Sequence, residues 1–267
     1  MVELVRDSDL LLVGIGNEWN WIKKGILGDD RYSALIELCS REDNRWLLPV
    51  VEFEYGFYNN DAHIDEAYRA LRKLIGDKRY YLISELFIHD ALLNGFDREL
   101  CVFPCGNYGY LQTADPLDPL LTASDQPEFM RLVEEIHEFV AGGGKSEDKF
   151  KYFIPFFEGK ELYLNQKRSE YSNIKYNESA YLKNWEKYTK YLSDTLNRNL
   201  LVLELGVSLD YPNVIRWPFE KVTMINNGAH LVRVHNKLYQ HTPEISAKTD
   251  SIQMNSVDYI LQESEGL

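Results

Sequence analysis

Two glycines one residue apart, Gly14 and Gly16, close the run LLLVGIGNEW over residues 10–19. An apolar run leading into a glycine turn reads as a buried strand and its carboxyl-terminal loop. In an open parallel sheet, that is where backbone N–H groups can meet a nucleotide phosphate. The spacing G-x-G-x-x-G would put a third glycine at position 19, where this chain has Trp19. Two readings stand: a ligand-facing loop of Gly14, Ile15, Gly16, Asn17 and Glu18, or a tight strand-to-helix turn that binds nothing. Glu18 beside a phosphate would be repulsive, because like charges a few ångström apart repel strongly where screening is poor. The same carboxylate suits a ribose hydroxyl, or fills a former phosphate pocket together with Trp19. A second turn, Gly206-Val207-Ser208, ends the apolar run LLVLEL and falls on the same functional edge, as a ligand contact or as a structural turn. His89 and Asp90 would suggest acid–base work, but adjacent residues do not share a helix face.

These turns need a sheet to hold them. Residues 31–43 carry Tyr32, Leu35, Ile36 and Cys39 at helical spacing, and residues 46–55 (WLLPVVEFEY) read as a strand with Pro49 at an edge or bulge. Asp61 opens a helix whose Ala67, Leu71, Leu74 and Ile75 share one face up to Gly76. Residues 80–84 read as a strand, 85–94 as a short helix before Gly95, and 100–105 as another strand. The stretch 110–127 contains three of the nine prolines and reads as irregular. A helix with Phe129, Leu132, Val133, Ile136, Phe139 and Val140 inward stops at glycines 142–144, and two short strands flank Glu158-Gly159. Residues 177–197 form a long helix with Tyr181, Trp185, Tyr188, Leu192 and Leu196 on one stripe. Strands at 200–205, 229–235 and 251–255 then alternate with helices at 218–226 and 257–263. Such alternation at both ends of the chain predicts an α/β fold, a doubly wound, Rossmann-like parallel sheet spanning 1–267, with a smaller subdomain inserted at 110–175.

The 267 residues carry a formal net charge of −13, which argues against a nucleic-acid surface, because phosphate neutralisation needs clustered Lys and Arg. Cys39, Cys101 and Cys105 form no C-x-x-C pair, so reduced intracellular thiols are expected. Neither a basic, apolar leader nor a membrane-length apolar run is present. The expectation is a cytoplasmic chain without a membrane partner.

Four blocks in order resemble the sirtuin family, in its divergent bacterial branch associated with macrodomain proteins. DSDLLLVGIG resembles the first strand and GAG loop, and YYLISELFIHDALLNGFD the strand, T-x-N-x-D motif and G-F-D segment. PCGNYGYLQ is similar to that branch's G-(D/N)-Y-G-x-x-Q run, and LELGVSLDYPNVIRWPF to its LELGV…TP…I…PF segment. AHLVRVH lies where the family reads L-I-R-V-N before the adenine end of NAD, so His235 stands for that Asn. The resemblance implies a pocket for NAD or an ADP-ribose-type nucleotide lined by the Gly14–Glu18 loop, Gly106, Gly206, Val207, Ser208 and His235.

The departures shape what chemistry remains. The family's catalytic Asn and Asp positions fall on Leu86 and Ile88, whose side chains cannot hydrogen-bond, which leaves Glu85 or Asp90 as substitutes. Its general-base His falls on Cys105, a weak base at neutral pH with an ordinary thiol pKa of about 8.5. Gly106 after it would leave the thiol accessible in the family geometry; the other reading is a half-buried, inert cysteine. Zinc ligands are missing: the first C-x-x-C falls on Thr113 and Pro116, and the second region has neither Cys nor His. A small apolar core of Phe153, Phe156, Phe157, Leu162 and Tyr163 is expected instead of the metal. Three functions follow as expectations. They are a nucleotide-binding protein with degenerate catalytic residues; an NAD-consuming enzyme (ADP-ribosyltransferase, deacylase or glycohydrolase) using Glu85 or Cys105; and a scaffold for a protein partner, its surface supplied by the long helix or the aromatic insertion.

Overall fold

The computed structural model describes residues 1–144, 152–168 and 174–265. They divide into two compact units: Met1–Asn20 with Asp61–Cys105 and Tyr181–Leu267, and Trp21–Asn60 with Gly106–Ala180.

The first unit holds a six-stranded, wholly parallel sheet. Its strands are β1 (Leu10–Ile15), β2 (Arg79–Ser84), β3 (Cys101–Val102), β9 (Leu200–Leu205), β10 (Ala229–Val234) and β11 (Thr249–Ile252), in the order β11-β10-β9-β1-β2-β3. Every residue of β1 and β9 is buried, as expected of central strands covered on both faces. From β1 the chain builds outward to β2 and β3, then returns to the other side of β1 for β9, β10 and β11. The winding therefore reverses between β1 and β9, and the loops after these strands flank the reversal. The unit's helices are α1 (Val2–Asp7), α5 (Ala62–Ile75), α6 (Asp90–Leu93), α8 (Ser179–Asp194), α9 (Arg216–Ile225) and α10 (Ser256–Ser264). Asp61 caps α5 by accepting from the His63 and Ile64 amides, and Gly76 ends it at φ +57°. Tyr191 of α8 fixes that helix to the sheet by donating its hydroxyl to the Leu11 carbonyl at 2.7 Å.

The second unit contains α2 (Trp21–Leu27), α3 (Ser33–Ser40), α4 (Leu48–Tyr58) and α7 (Pro127–Ala141). An antiparallel sheet, β5-β4-β8, joins β4 (Gly106–Gln112), β5 (Leu121–Thr122) and β8 (Tyr163–Gln166). A hairpin of β6 (Phe156–Phe157) and β7 (Lys160–Glu161) turns at Glu158 and Gly159, both at positive φ as the turn requires.

Several local expectations are corrected. Residues 46–55 belong to a 3-10 turn and α4; Pro49 sits in the first turn of a helix, where its missing N–H costs nothing. The period-two Glu52 and Glu54 resemble the wet face of a strand, yet both are buried and paired. Tyr32 donates to Glu54 Oε2 at 2.8 Å and His137 Nδ1 lies 2.8 Å from Oε1; Arg168 and Tyr108 hold Glu52. The helix expected at 85–94 is reduced to α6, and the strand expected at 100–105 to the two residues of β3. The aromatic core expected in the insertion does not form around Phe156 and Phe157, which are 49% and 40% exposed. A buried polar cluster ties these strands instead: Asn165 donates to Gln112 Oε1 at 2.9 Å and to the Asn177 carbonyl at 2.8 Å. Among the described residues no helix is long and apolar enough to cross a membrane.

Candidate functional site

The site grows from the carboxyl ends of β1, β2 and β9. Glu85 follows β2, and its N–H donates to the Ile15 carbonyl at the end of β1 (3.1 Å). Its side chain turns across the reversal point. Oε1 accepts the Asn17 amide at 3.1 Å from the β1 loop and the Ser208 amide at 2.9 Å from the β9 loop. Only 2% of Glu85 is exposed, and Oε2 is buried without a hydrogen-bond partner among the described residues. Burial raises the carboxyl pKa to about 7, against the lowering effect of the Ser208 and Asn17 hydrogen bonds; Asp210 adds to the rise. Asp210 is also held locally, accepting from Asn17 Nδ2 at 2.6 Å.

Glu18 makes a second bridge. Its Oε1 accepts the Asn236 amide after β10 at 2.8 Å, and its Oε2 accepts the Ser256 amide at the start of α10 at 2.7 Å. A carboxylate at a helix N-terminus is stabilised by the unpaired amides and the helix dipole. Trp19 is fully buried, donates Nε1 to Ser256 Oγ at 3.1 Å, and lies against Tyr68 with ring centroids 4.6 Å apart.

The glycines are required by close packing. A Cβ on Gly16 would lie 2.3 Å from Val207 Cα, and one on Gly14 2.5 Å from Ile215 Cγ2 of α9. Gly206, at φ +66°, would place a Cβ 2.6 Å from Glu18 Cβ. Ile15 and Val207 are buried, so these residues shape the site through their backbones.

His235 sits beside Glu18. Its Nδ1 accepts the Lys237 and Leu238 amides at 2.9 and 3.1 Å, which places the ring proton on Nε2. Burial lowers its pKa, so the ring is neutral and the 3.3 Å approach to Glu18 Oε1 is no ion pair. Behind it lies a charged network that composition alone did not reveal. Arg233 of β10, fully buried, donates to Glu204 of β9 (2.8 Å), Glu220 of α9 (2.7 Å) and the Gln240 carbonyl (2.6 Å). Arg216 donates to Glu204 (3.2 Å), the Leu238 carbonyl (2.7 Å) and the Gln240 carbonyl (2.8 Å). The network thus fixes the loop after β10. One charge inside each of two otherwise apolar strand sequences, LLVLEL and AHLVRV, was its signal.

The structure therefore brings together Glu85, Asn17, Glu18, Gly206, Ser208 and His235, and adds Asn236, Ser256 and Asp210. Of the two readings of Cys105, an accessible thiol and an inert buried one, the structure has the second, at 0% exposure. Gly106 opens β4 in the second unit at φ +150°. Leu86 is buried. Zinc, which the fold implies, does not fit here: the three cysteines are single buried thiols, and among the described residues no three His, Cys, Asp or Glu side chains cluster to hold a metal. For a nucleotide, the orphaned Glu85 Oε2 fits a hydroxyl donor. The Asn17 and Ser208 amides already hold a carboxylate, so the fit is to the sugar and not to a phosphate at those amides.

Solved structures share this architecture. The chain aligns over 99% of its length with Sir2Tm bound to a propionylated peptide (95% of that chain, TM-score 0.57, 15% identity). It aligns over 99% with a Sir2–p53 peptide–NAD+ structure (95%, 0.55, 14%) and with an ADP-ribose complex of a mutant Sir2 homologue (95%, 0.55, 11%). The fold is that of the sirtuins. No family model matches the chain. A curated relative from Fusarium oxysporum f. sp. cubense, "Probable bifunctional ADP-ribose hydrolase/ADP-ribosyltransferase", is 27% identical over 146 residues, 54% of this chain and 23% of the relative. The match thus spans about a quarter of that protein's length.

Proposed function

We propose that this sirtuin-fold chain binds an NAD- or ADP-ribose-type nucleotide at the β1–β2–β9 edge, with a ribose hydroxyl donating to Glu85 Oε2. The observation that carries this reading is a buried carboxylate oxygen, without a hydrogen-bond partner among the described residues, at the reversal point of a doubly wound sheet. An unsatisfied buried acceptor costs stability, and a hydroxyl donor removes that cost. His235 Nε2 is a second group that can donate to the adenosine end. Support comes also from the fold shared with the Sir2–p53 peptide–NAD+ structure and the Sir2 homologue–ADP-ribose complex, and from the ADP-ribosyl chemistry named for the curated relative. Leu86 and Ile88 offer no polar side chain, so ordinary deacylation is not part of the proposal, and buried Cys105 takes no role. Thermal-shift and calorimetric titration with NAD and ADP-ribose test binding; absence of heat and of stabilisation with both would sink it.

The same oxygen favours one further reading. A carboxylate beside the ribose could stabilise oxocarbenium-like charge as the nicotinamide bond breaks, which makes NAD glycohydrolysis or ADP-ribosyl transfer the accompanying activity. Nicotinamide release from NAD by the wild type, lost in Glu85→Gln while ligand binding persists, is the expected result. Equal release by both proteins excludes Glu85 from catalysis.

A further inference from the structure

Two carboxyl groups at the reversal point of the parallel sheet, Glu85 and Asp210, are joined by a closed ring of hydrogen bonds. Asn17 links them on one side, its backbone N–H donating to Glu85 Oε1 at 3.1 Å and its Nδ2 to Asp210 Oδ2 at 2.6 Å. Ser208 links them on the other: its N–H donates to Glu85 Oε1 at 2.9 Å, and its Oγ accepts the Asp210 amide at 3.1 Å. The two acids sit in opposite surroundings, Glu85 buried and Asp210 exposed on the loop after β9. Other ionisable side chains of the adjoining loops have partners of their own. Glu18, with His235 beside it, accepts the Asn236 and Ser256 amides. The His89 ring stacks on Phe103 with centroids 3.5 Å apart, and the charge of Asp90 acts on the Tyr68 hydroxyl. The charge of Asp210 acts on Glu85 and, like burial, favours the protonated carboxyl.

Like charges held close do not ionise independently, so a carboxylate linked to Glu85 delays its ionisation. The place of the proton follows from the hydrogen bonds. Glu85 Oε1 already accepts two amides, which leaves Oε2, without a partner among the described residues, to carry it. Oε2 is also the atom to which a ribose hydroxyl would donate, so proton and ligand compete for one oxygen. We propose that Asp210 is a positioning residue of the nucleotide site, holding Asn17 against Glu85 and coupling the arrival of the ligand to the departure of a proton. On binding, the Glu85 O–H bond breaks, its proton passes to solvent, and the ribose hydroxyl, keeping its own hydrogen, donates to the carboxylate. Asn17 serves both acids at once, which is how the charge and the geometry of Asp210 reach the same atom. This inference rests on the nucleotide reading and assigns that site its regulation.

Carbon-13 NMR titration of the Glu85 carboxyl, assigned by its disappearance in Glu85→Gln, measures the coupling without ligand. Asp210→Asn removes the charge and keeps an acceptor for Asn17, at an exposed position where folding is retained. The Glu85 midpoint should fall by about half a pH unit or more in this variant, and Asp210→Glu, which restores the charge, should return it towards wild type. Calorimetry of ADP-ribose at pH 7, in buffers of different ionisation heat, then counts the protons released on binding. Wild type should release protons, and Asp210→Asn about half as many or fewer, because its Glu85 is already ionised in more of the molecules. A midpoint unchanged in Asp210→Asn, or equal proton release by the two proteins, overturns the role of Asp210 and leaves the nucleotide reading standing. Failure of ADP-ribose to bind either protein overturns the nucleotide reading and the proton linkage with it, whatever the midpoint.

Discussion

The Glu85 side chain accepts the Ser208 amide at 2.9 Å, joining the loop after β2 to the loop after β9 across the strand that separates them. Its second oxygen has no partner among the described residues. Stability and ligand affinity are both expected to report on this carboxyl.

Stability should depend on pH through Glu85. Its folded pKa, about 7, lies above the ordinary value of 4.5, so the folded state holds the proton more tightly than the unfolded chain. Stability from this group is complete below the unfolded pKa and is lost as pH rises through the folded one, by about 3 kcal/mol. Glu85→Gln keeps an acceptor for Asn17 and Ser208 but never ionises. Its melting temperature should exceed that of wild type at pH 8 by about 5 °C or more. The gain should shrink toward pH 5. A gain that is the same at both pH values would contradict the buried-carboxyl assignment.

Affinity should run the other way. A hydroxyl donates more strongly to a carboxylate than to a neutral carboxyl. Binding of ADP-ribose should therefore tighten about tenfold between pH 6 and pH 8, following ionisation near 7, and stay flat in Glu85→Gln. Weakening over the same range would mean that a phosphate competes with Glu85 for the Asn17 and Ser208 amides.

The loop contacts make Gly16 intolerant of a side chain. Gly16→Ala puts a methyl 2.3 Å from Val207 Cα and 2.5 Å from the Gly206 carbonyl, backbone atoms that cannot rotate away. A loss of about 1–3 kcal/mol in denaturant unfolding is expected. A neutral result would show that the β1 and β9 loops are not in contact.

Removing one charge from the buried network should be expensive. Glu204→Leu leaves Arg233, at 0% exposure, with Glu220 as its remaining carboxylate, and leaves Arg216 without a side-chain acceptor on β9. Chemical denaturation should show a loss on the order of 3 kcal/mol. An Arg233→Met/Glu204→Leu pair should recover part of it, because no lone charge remains on those two strands.

The centre of the sheet was legible because its two middle strands are short apolar runs closed by Gly16 and Gly206; LLLVGI and LLVLEL coincide with β1 and β9. The helix at α4 was not, because Glu52 and Glu54 alternate with apolar residues and only their buried partners reveal why. That Trp21–Asn60 belongs with Gly106–Ala180 depends on contacts far apart in sequence. At the site, the loops could be located from glycine spacing, and Glu18 and Glu85 were singled out. Their partners, the amides of Asn17, Ser208, Asn236 and Ser256, are backbone groups that side-chain identity does not encode. Cys105 could be read from the sequence as a reachable or as a half-buried thiol for a related reason, since a following glycine says nothing about what covers it.

Titration calorimetry of ADP-ribose into wild type and Glu85→Ala at pH 8 bears most directly on the proposed site. Saturable 1:1 binding by the wild type is expected, weakened at least about tenfold in the variant, as for loss of a charge-assisted hydrogen bond. No binding by the wild type, or equal affinity in the two proteins, would contradict nucleotide recognition through Glu85.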